Sequence, residues 1–183
     1  MSVPAGKRKQ SRFEAQHQFY RLRDEVTKLS MNQFGFSYEK HLKQIDKYKE
    51  AHKSAENIDE VVERWRAKTE AFYKFFIPEE RKVVLEMLRN IETEFTFGNS
   101  IYPSETPTKV AEFCERRKHI DAAIAGCYVL KQELNYIIRV LPVDLNKFTR
   151  FAEAIDKQVA LYKGVRTADN RLLKPRNTKK EKS

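Results

Sequence analysis

VAEFCERRKHIDAAIAGCYVLKQELNYIIRVL, residues 110–141, is the stretch that decides the fold. Its main apolar side chains recur three, four or seven residues apart, which places them on one face of an α-helix. Gly126 is the only glycine or proline inside the stretch, and Pro142 marks its end. The stretch therefore predicts one long helix, which we expect to be the spine of an all-α protein.

The same apolar spacing recurs outside this spine and predicts five further helices. Pro78 is followed by two glutamates and fits the first turn of a helix, so the two helices that meet there should be nearly continuous. GNSIYPSETPT (98–108) predicts an exposed loop, and Gly164 is placed to end the last helix. The further helices are expected within residues 11–31, 38–49, 57–77, 78–97 and 144–164.

These elements predict an up-and-down four-helix bundle with an added N-terminal helical pair. The connector after Pro142 is short, which requires antiparallel neighbours, and 5 Gly and 6 Pro in 183 residues are too few for a turn-rich sandwich or barrel. Four units are expected along the chain. They are a basic disordered arm at 1–10, an N-terminal helical extension at 11–56, the four-helix bundle at 57–165 and a basic flexible tail at 166–183.

The net charge of +10 lies entirely at the two ends of the chain. Residues 1–12 carry four basic side chains and no acidic one, and residues 163–183 carry eight basic and two acidic ones. Residues 13–162 carry 24 of each sign. A neutral body with basic ends favours a polyanionic partner, because each cation that neutralises a phosphate releases condensed counterions. Merely solvated ends are the alternative.

Basic side chains are therefore the candidate phosphate contacts, and we expect a nucleic acid to be recognised by its shape and charge and not by its base sequence. Those on the last helix and tail are expected to form one track, and a run of three in the spine forms a second patch. An ordinary solvated face explains the same spacing. The candidates are Arg116, Arg117, Lys118, Arg150, Lys157, Lys163, Arg166, Arg171, Lys174 and Arg176.

Catalytic and metal-binding patterns are scarce in the sequence. The four histidines are scattered, and no H-E-x-x-H or paired C-x-x-C motif occurs, so we expect no metal and no cofactor. Cys114 and Cys127 are too far apart along one helix for a disulfide and are expected to be buried thiols. No apolar run is long enough for a membrane span, which favours a cytoplasmic protein.

Surplus aromatic residues predict a second contact surface. Phe72, Tyr73, Phe75 and Phe76 follow Trp65 so closely that they cannot all face one core. Either the N-terminal helices or a neighbouring subunit covers the remainder. A homo-oligomer satisfies the second possibility.

A resemblance to a known protein family rests on two consecutive segments, ERRKHIDAAIAGCYVLKQELNYIIRVLP (115–142) and VDLNKFTRFAEAIDKQVALYKGVRTADNR (143–171). In helix length, in the spacing of Ala, Leu and aromatic residues and in the basic ending, they resemble the last two helices of the accessory variability determinants of diversity-generating retroelements. The resemblance implies a basic homopentamer that binds the reverse transcriptase and its template RNA and supports mutagenic cDNA synthesis without catalysing it. The N-terminal 55 residues and the loop at 98–108 depart from that family and could change the subunit number.

Two other functions stay open. Arg12 and His17 match the R-x4-6-H pattern of helical ribonucleases, which would make the chain an RNA-cleaving enzyme. A module that binds only protein is the third possibility.

Overall fold

The computed structural model describes residues 12–102 and 109–173, apart from the side chains of Arg12, Lys147 and residues 171–173. The described part is all-helical and contains no strand, which confirms the all-α prediction. None of its helices is long and apolar enough to cross a membrane. The α-helices are α1 (Arg12–Met31), α2 (Tyr38–Ala51), α3 (Ile58–Ala71), α4 (Ile77–Ser100), α5 (Lys109–Val140) and α6 (Asn146–Leu173).

Helices α3 and α4 form one continuous rod, as expected. They are joined by a five-residue π-helical segment, Phe72–Phe76, in which the N–H of Ile77 donates to the carbonyl of Phe72. Pro78 follows immediately, in the first turn of α4. Because proline has no N–H and its ring crowds the preceding turn, a locally wider turn accommodates it without ending the rod.

The core lies between α1, α4, α5 and α6. Helix α5 packs against α4 and α6, and α1 packs against the same two helices. The pairs Arg116–Asp169 and Lys131–Asp156 run in opposite directions along α5 and α6, which makes these helices antiparallel. All four helices contribute to one cluster of buried apolar side chains.

The N-terminal helices differ from the prediction of an added pair. The apolar stripe of α1 (Ala15, Phe19, Leu22 and Val26) is fully buried in the core. Helix α2 instead packs against α3, and Ile45 is its only buried residue. Because α2 has the narrower apolar stripe, it covers α3, whereas α1 completes the main core.

Two glycines expected to interrupt helices lie inside them. Helix α4 continues through Gly98, where an added Cβ would lie 3.1 Å from the carbonyl oxygen of Arg116 and from Cβ of His119. Gly98 thus permits the close approach of α4 to α5. Helix α6 continues past Gly164 to Leu173, because Val165 and Asp169 extend its buried face. The predicted start of the flexible tail at residue 166 is therefore wrong for residues 166–173.

The two cysteines are in different surroundings. Cys127 is buried, as expected, and burial raises the pKa of its thiol to about 12. Cys114 is exposed, which corrects the expectation of two buried thiols. The predicted arm at 1–10, most of the loop at 98–108 and the tail from residue 174 lie outside the described residues.

Candidate nucleic-acid interface

Arg116 is a structural residue, which corrects its assignment as a phosphate contact. Its side chain is 0% exposed. Nε donates to Oδ2 of Asp169 at 2.6 Å, and Nη1 donates to the carbonyl oxygens of Gly98 at 2.7 Å and Ile101 at 3.2 Å. Nη2 is buried and has no hydrogen-bond partner among the described residues. A guanidinium held in this way joins the ends of α4 and α6 to α5 and cannot reach a nucleic-acid backbone.

The next two residues of α5, Arg117 and Lys118, are exposed. Nη1 of Arg117 donates to Oδ1 of Asn170 at 3.1 Å, and its Nε lies 3.6 Å from a carboxylate oxygen of Asp121. Nζ of Lys118 lies 2.8 Å from Glu115, and this hydrogen bond raises the pKa of the lysine and lowers that of the glutamate. Both cations are accessible to a phosphate that competes with exposed carboxylates.

Lys163 and Arg166 reach across from α6 to α5. Nζ of Lys163 donates to the hydroxyl of Tyr128 at 2.9 Å and lies 5.5 Å from the centroid of its ring. Nη1 of Arg166 donates to Oδ1 of Asp121 at 2.8 Å. These two candidates therefore lie at the seam between the helices, where Asp121 offsets part of the charge of Arg166.

Arg150 and Lys157 form a separate exposed pair. They are seven residues apart, about two helical turns, and so share one face of α6. The guanidinium carbon of Arg150 lies 4.6 Å from the ring centroid of Phe151. Lys163 follows Lys157 by six residues, which places it about 120° further round the helix. The predicted single track is therefore two groups of cations on different sides of α6.

Three of the remaining candidates cannot be placed. The backbone of Arg171 belongs to α6, but its side chain is outside the described part of the structure, and Lys174 and Arg176 lie beyond it altogether. For the ribonuclease alternative, His17 is exposed, with its ring 6.4 Å from that of Tyr20, and the side chain of Arg12 is not described. No group of three or more potential metal ligands occurs among the residues that the structure describes.

A cleft with aromatic and cationic walls lies where α2 and α3 approach the end of α5. Its volume is about 370 Å³, and its walls include Trp65, Lys68, Phe72 and Arg139. The sequence marks Trp65 and Phe72 as surplus aromatics and Arg139 as one of many basic residues. Lys68 has no distinguishing feature in the sequence. It reaches the cleft because α3 is continuous with α4, and α4 packs against α5.

The outer seam between α4 and α5 is apolar. A cavity of about 210 Å³ lies along it, lined by residues that include Met87, Ile91, Gly126 and Val129. A Cβ added at Gly126 would lie 2.7 Å from Cγ1 of Ile91, so the glycine allows this close packing. Large apolar side chains on both helices continue the seam into solvent, namely Val83, Phe97, Val129 and Tyr136.

No family model, curated protein or solved structure matches this chain. The cations, the aromatic cleft and the apolar seam are therefore the observations from which a function is inferred.

Proposed function

We propose that the protein is a non-enzymatic, cytoplasmic accessory protein that binds RNA by its shape and charge. The observation that carries this proposal is the distribution of charge. The body is neutral between residues 13 and 162, and the excess of +10 is confined to the two ends. Basic side chains that cluster at the ends of the chain repel one another and do not stabilise the fold. The phosphates of a bound RNA would neutralise this positive charge.

Exposed and half-buried cations on the helical body extend the proposed RNA surface. Lys163 and Arg166 lie at the C-terminal part of α6, from which residues 174–183 continue, and Arg117 lies beside them on α5. Arg150 and Lys157 provide a second group on another face of α6. The proposed phosphate contacts are Arg117, Lys118, Arg150, Lys157, Lys163, Arg166, Arg171, Lys174 and Arg176.

The protein partner is proposed from the resemblance of the chain from about Phe72 through Arg171, which rests on residues 115–171, to the accessory variability determinants. On that basis the RNA is the template RNA of a diversity-generating retroelement, the partner is its reverse transcriptase, and the accessory protein is a four-helix bundle that supports mutagenic cDNA synthesis. Self-association, with a pentamer as the family's form, belongs to the same proposal. The exposed apolar side chains along the α4–α5 seam support it, because such surface is usually covered by a partner.

A salt titration of RNA binding tests the proposal. In filter binding, the logarithm of the binding constant should fall linearly with the logarithm of salt concentration. Arg150→Ala combined with Lys157→Ala should reduce the slope by roughly 1.4 to 1.8. The control is Lys74→Ala with Lys82→Ala, which removes two cations that are already paired with Glu70 and Glu79 on the same rod. The control should leave the slope nearly unchanged.

Other outcomes would favour the alternatives. Binding that does not depend on salt would refute the proposal, and a complete lack of RNA retention would favour a module that binds only protein. RNA cleavage by the purified protein that is lost on His17→Ala would identify the ribonuclease instead.

A further inference from the structure

The cleft between α2, α3 and the end of α5 combines cationic and aromatic side chains. Lys68 on α3 and Arg139 on α5 are exposed cations on its walls. Among the described residues, no carboxylate lies within ion-pair distance of either cation. Their positive charge is therefore available to a ligand.

The aromatic walls offer a flat surface beside these charges. The indole of Trp65 is 40% exposed, and its ring centroid lies 4.7 Å from that of Tyr48 on α2. Nζ of Lys68 lies 5.5 Å from the ring centroid of Phe72, so the cation and the second aromatic wall are neighbours. Tyr48 supports the indole from α2 and thereby restricts its motion.

The end of α5 forms one wall of the cleft. Val140, Leu141 and Pro142 line it beside Arg139 and add apolar surface. A simple anion would use only the two cations. A ligand with a flat ring and a phosphate at a distance contacts the aromatic walls and the cations together.

We propose that this cleft binds one unpaired nucleotide of an RNA strand. The base stacks in the space beside Trp65 and Phe72, and Lys68 and Arg139 bind its phosphates. The volume of about 370 Å³ is in the range of small-ligand sites. Stacking on aromatic side chains with flanking cations is the usual way in which proteins hold single strands without reading their sequence. This inference rests on the proposed RNA-binding function and specifies a site for it.

Trp65 is the only tryptophan in the chain, so its fluorescence reports directly on the cleft. A single-stranded oligoribonucleotide of mixed sequence should quench the emission in a saturable manner. Lys68→Ala combined with Arg139→Ala should weaken the quenching titration about tenfold, which corresponds to about 1.4 kcal/mol. Arg64→Ala with Lys131→Ala is the matched control, because it also removes one cation from α3 and one from α5, each already paired outside the cleft. The control should keep the wild-type midpoint.

The probes separate this site from the wider proposal. Unchanged fluorescence at RNA concentrations that saturate filter binding would overturn the cleft assignment and leave the RNA-binding function intact. Equal quenching by a free nucleoside monophosphate and by the oligomer, nucleotide for nucleotide, would overturn the assignment to an RNA strand. Equal weakening in the Lys68/Arg139 and control variants would also overturn it, because the loss would then follow net charge.

Discussion

Replacement of Arg116 by methionine should cost at least about 4 kcal/mol of folding free energy. Methionine fills much of the volume, so the loss reports mainly on the guanidinium. Removing one member of a buried ion pair costs about 3–5 kcal/mol because the partner charge stays in a poorly solvated site. Asp169 retains 11% side-chain exposure, which lets water moderate that cost. The carbonyls of Gly98 and Ile101 also lose a donor, at about 1–3 kcal/mol each where water cannot replace it.

Thermal and urea unfolding followed by circular dichroism measure this loss. A destabilisation of about 4 kcal/mol in a chain of this size lowers Tm by roughly 8–16 °C. Arg117→Met is the matched control, because this exposed neighbour should change stability by less than about 0.5 kcal/mol. In the Arg116→Met background, Asp169→Asn should restore part of the loss, since it removes a carboxylate charge that has lost its ion pair with Arg116. A single variant within 1 kcal/mol of wild type would refute the structural role of Arg116.

Two further predictions concern the α4–α5 pair. Burial and a shared hydrogen bond with Glu133 raise the pKa of Glu80 to about 7. Between about pH 4.5 and 7 the native state therefore keeps a proton that the unfolded chain releases. The free energy of unfolding falls as the pH rises through this range. Glu80→Gln should therefore raise Tm by about 2–4 °C at pH 8 and leave it nearly unchanged at pH 5. Solvent screening limits the gain in stability to about 1 kcal/mol. An equal shift of Tm at both pH values would show that the raised pKa of Glu80 is not the cause. Val129→Glu should convert the proposed oligomer to monomers, as measured by light scattering. The control, Ala160→Glu on the exposed side of α6, should leave the oligomer intact. A monomeric wild-type protein would be inconsistent with the proposed assembly.

Most of the helices were predictable because their apolar stripes are long and regular. The stripe of α5 gave its extent to within a residue or two, and the glutamates after Pro78 indicated a helix start that would otherwise read as a break. Helix ends were harder. Gly98 and Gly164 have the low helix propensity of any glycine, but close packing and a continuing buried face outweigh about 1 kcal/mol of propensity at each position.

The candidate site was predictable only in part, because charge alone does not distinguish a buried cation from an exposed one. Three basic residues are adjacent in the sequence of α5, namely Arg116, Arg117 and Lys118. Because successive residues point in different directions around a helix, only Arg116 faces the core. The pairing of Arg116 with Asp169 depends on contacts between residues 53 positions apart. Lys68 and Arg139 are brought to one cleft only by tertiary packing, so no local pattern could identify them.

The π-helical segment at Phe72–Phe76 sets the orientation of everything that precedes it on the rod. A π turn holds one residue more than an α turn. Deleting one residue there would restore regular α geometry and rotate α3 by about 100° about the rod axis, with α2 carried along as its packing partner. Trp65 and Lys68 would then turn away from Arg139. The single extra residue sets the rotation of α3, and deletion of one residue of this segment after Phe72 would dismantle the cleft while leaving every residue of its walls in the chain.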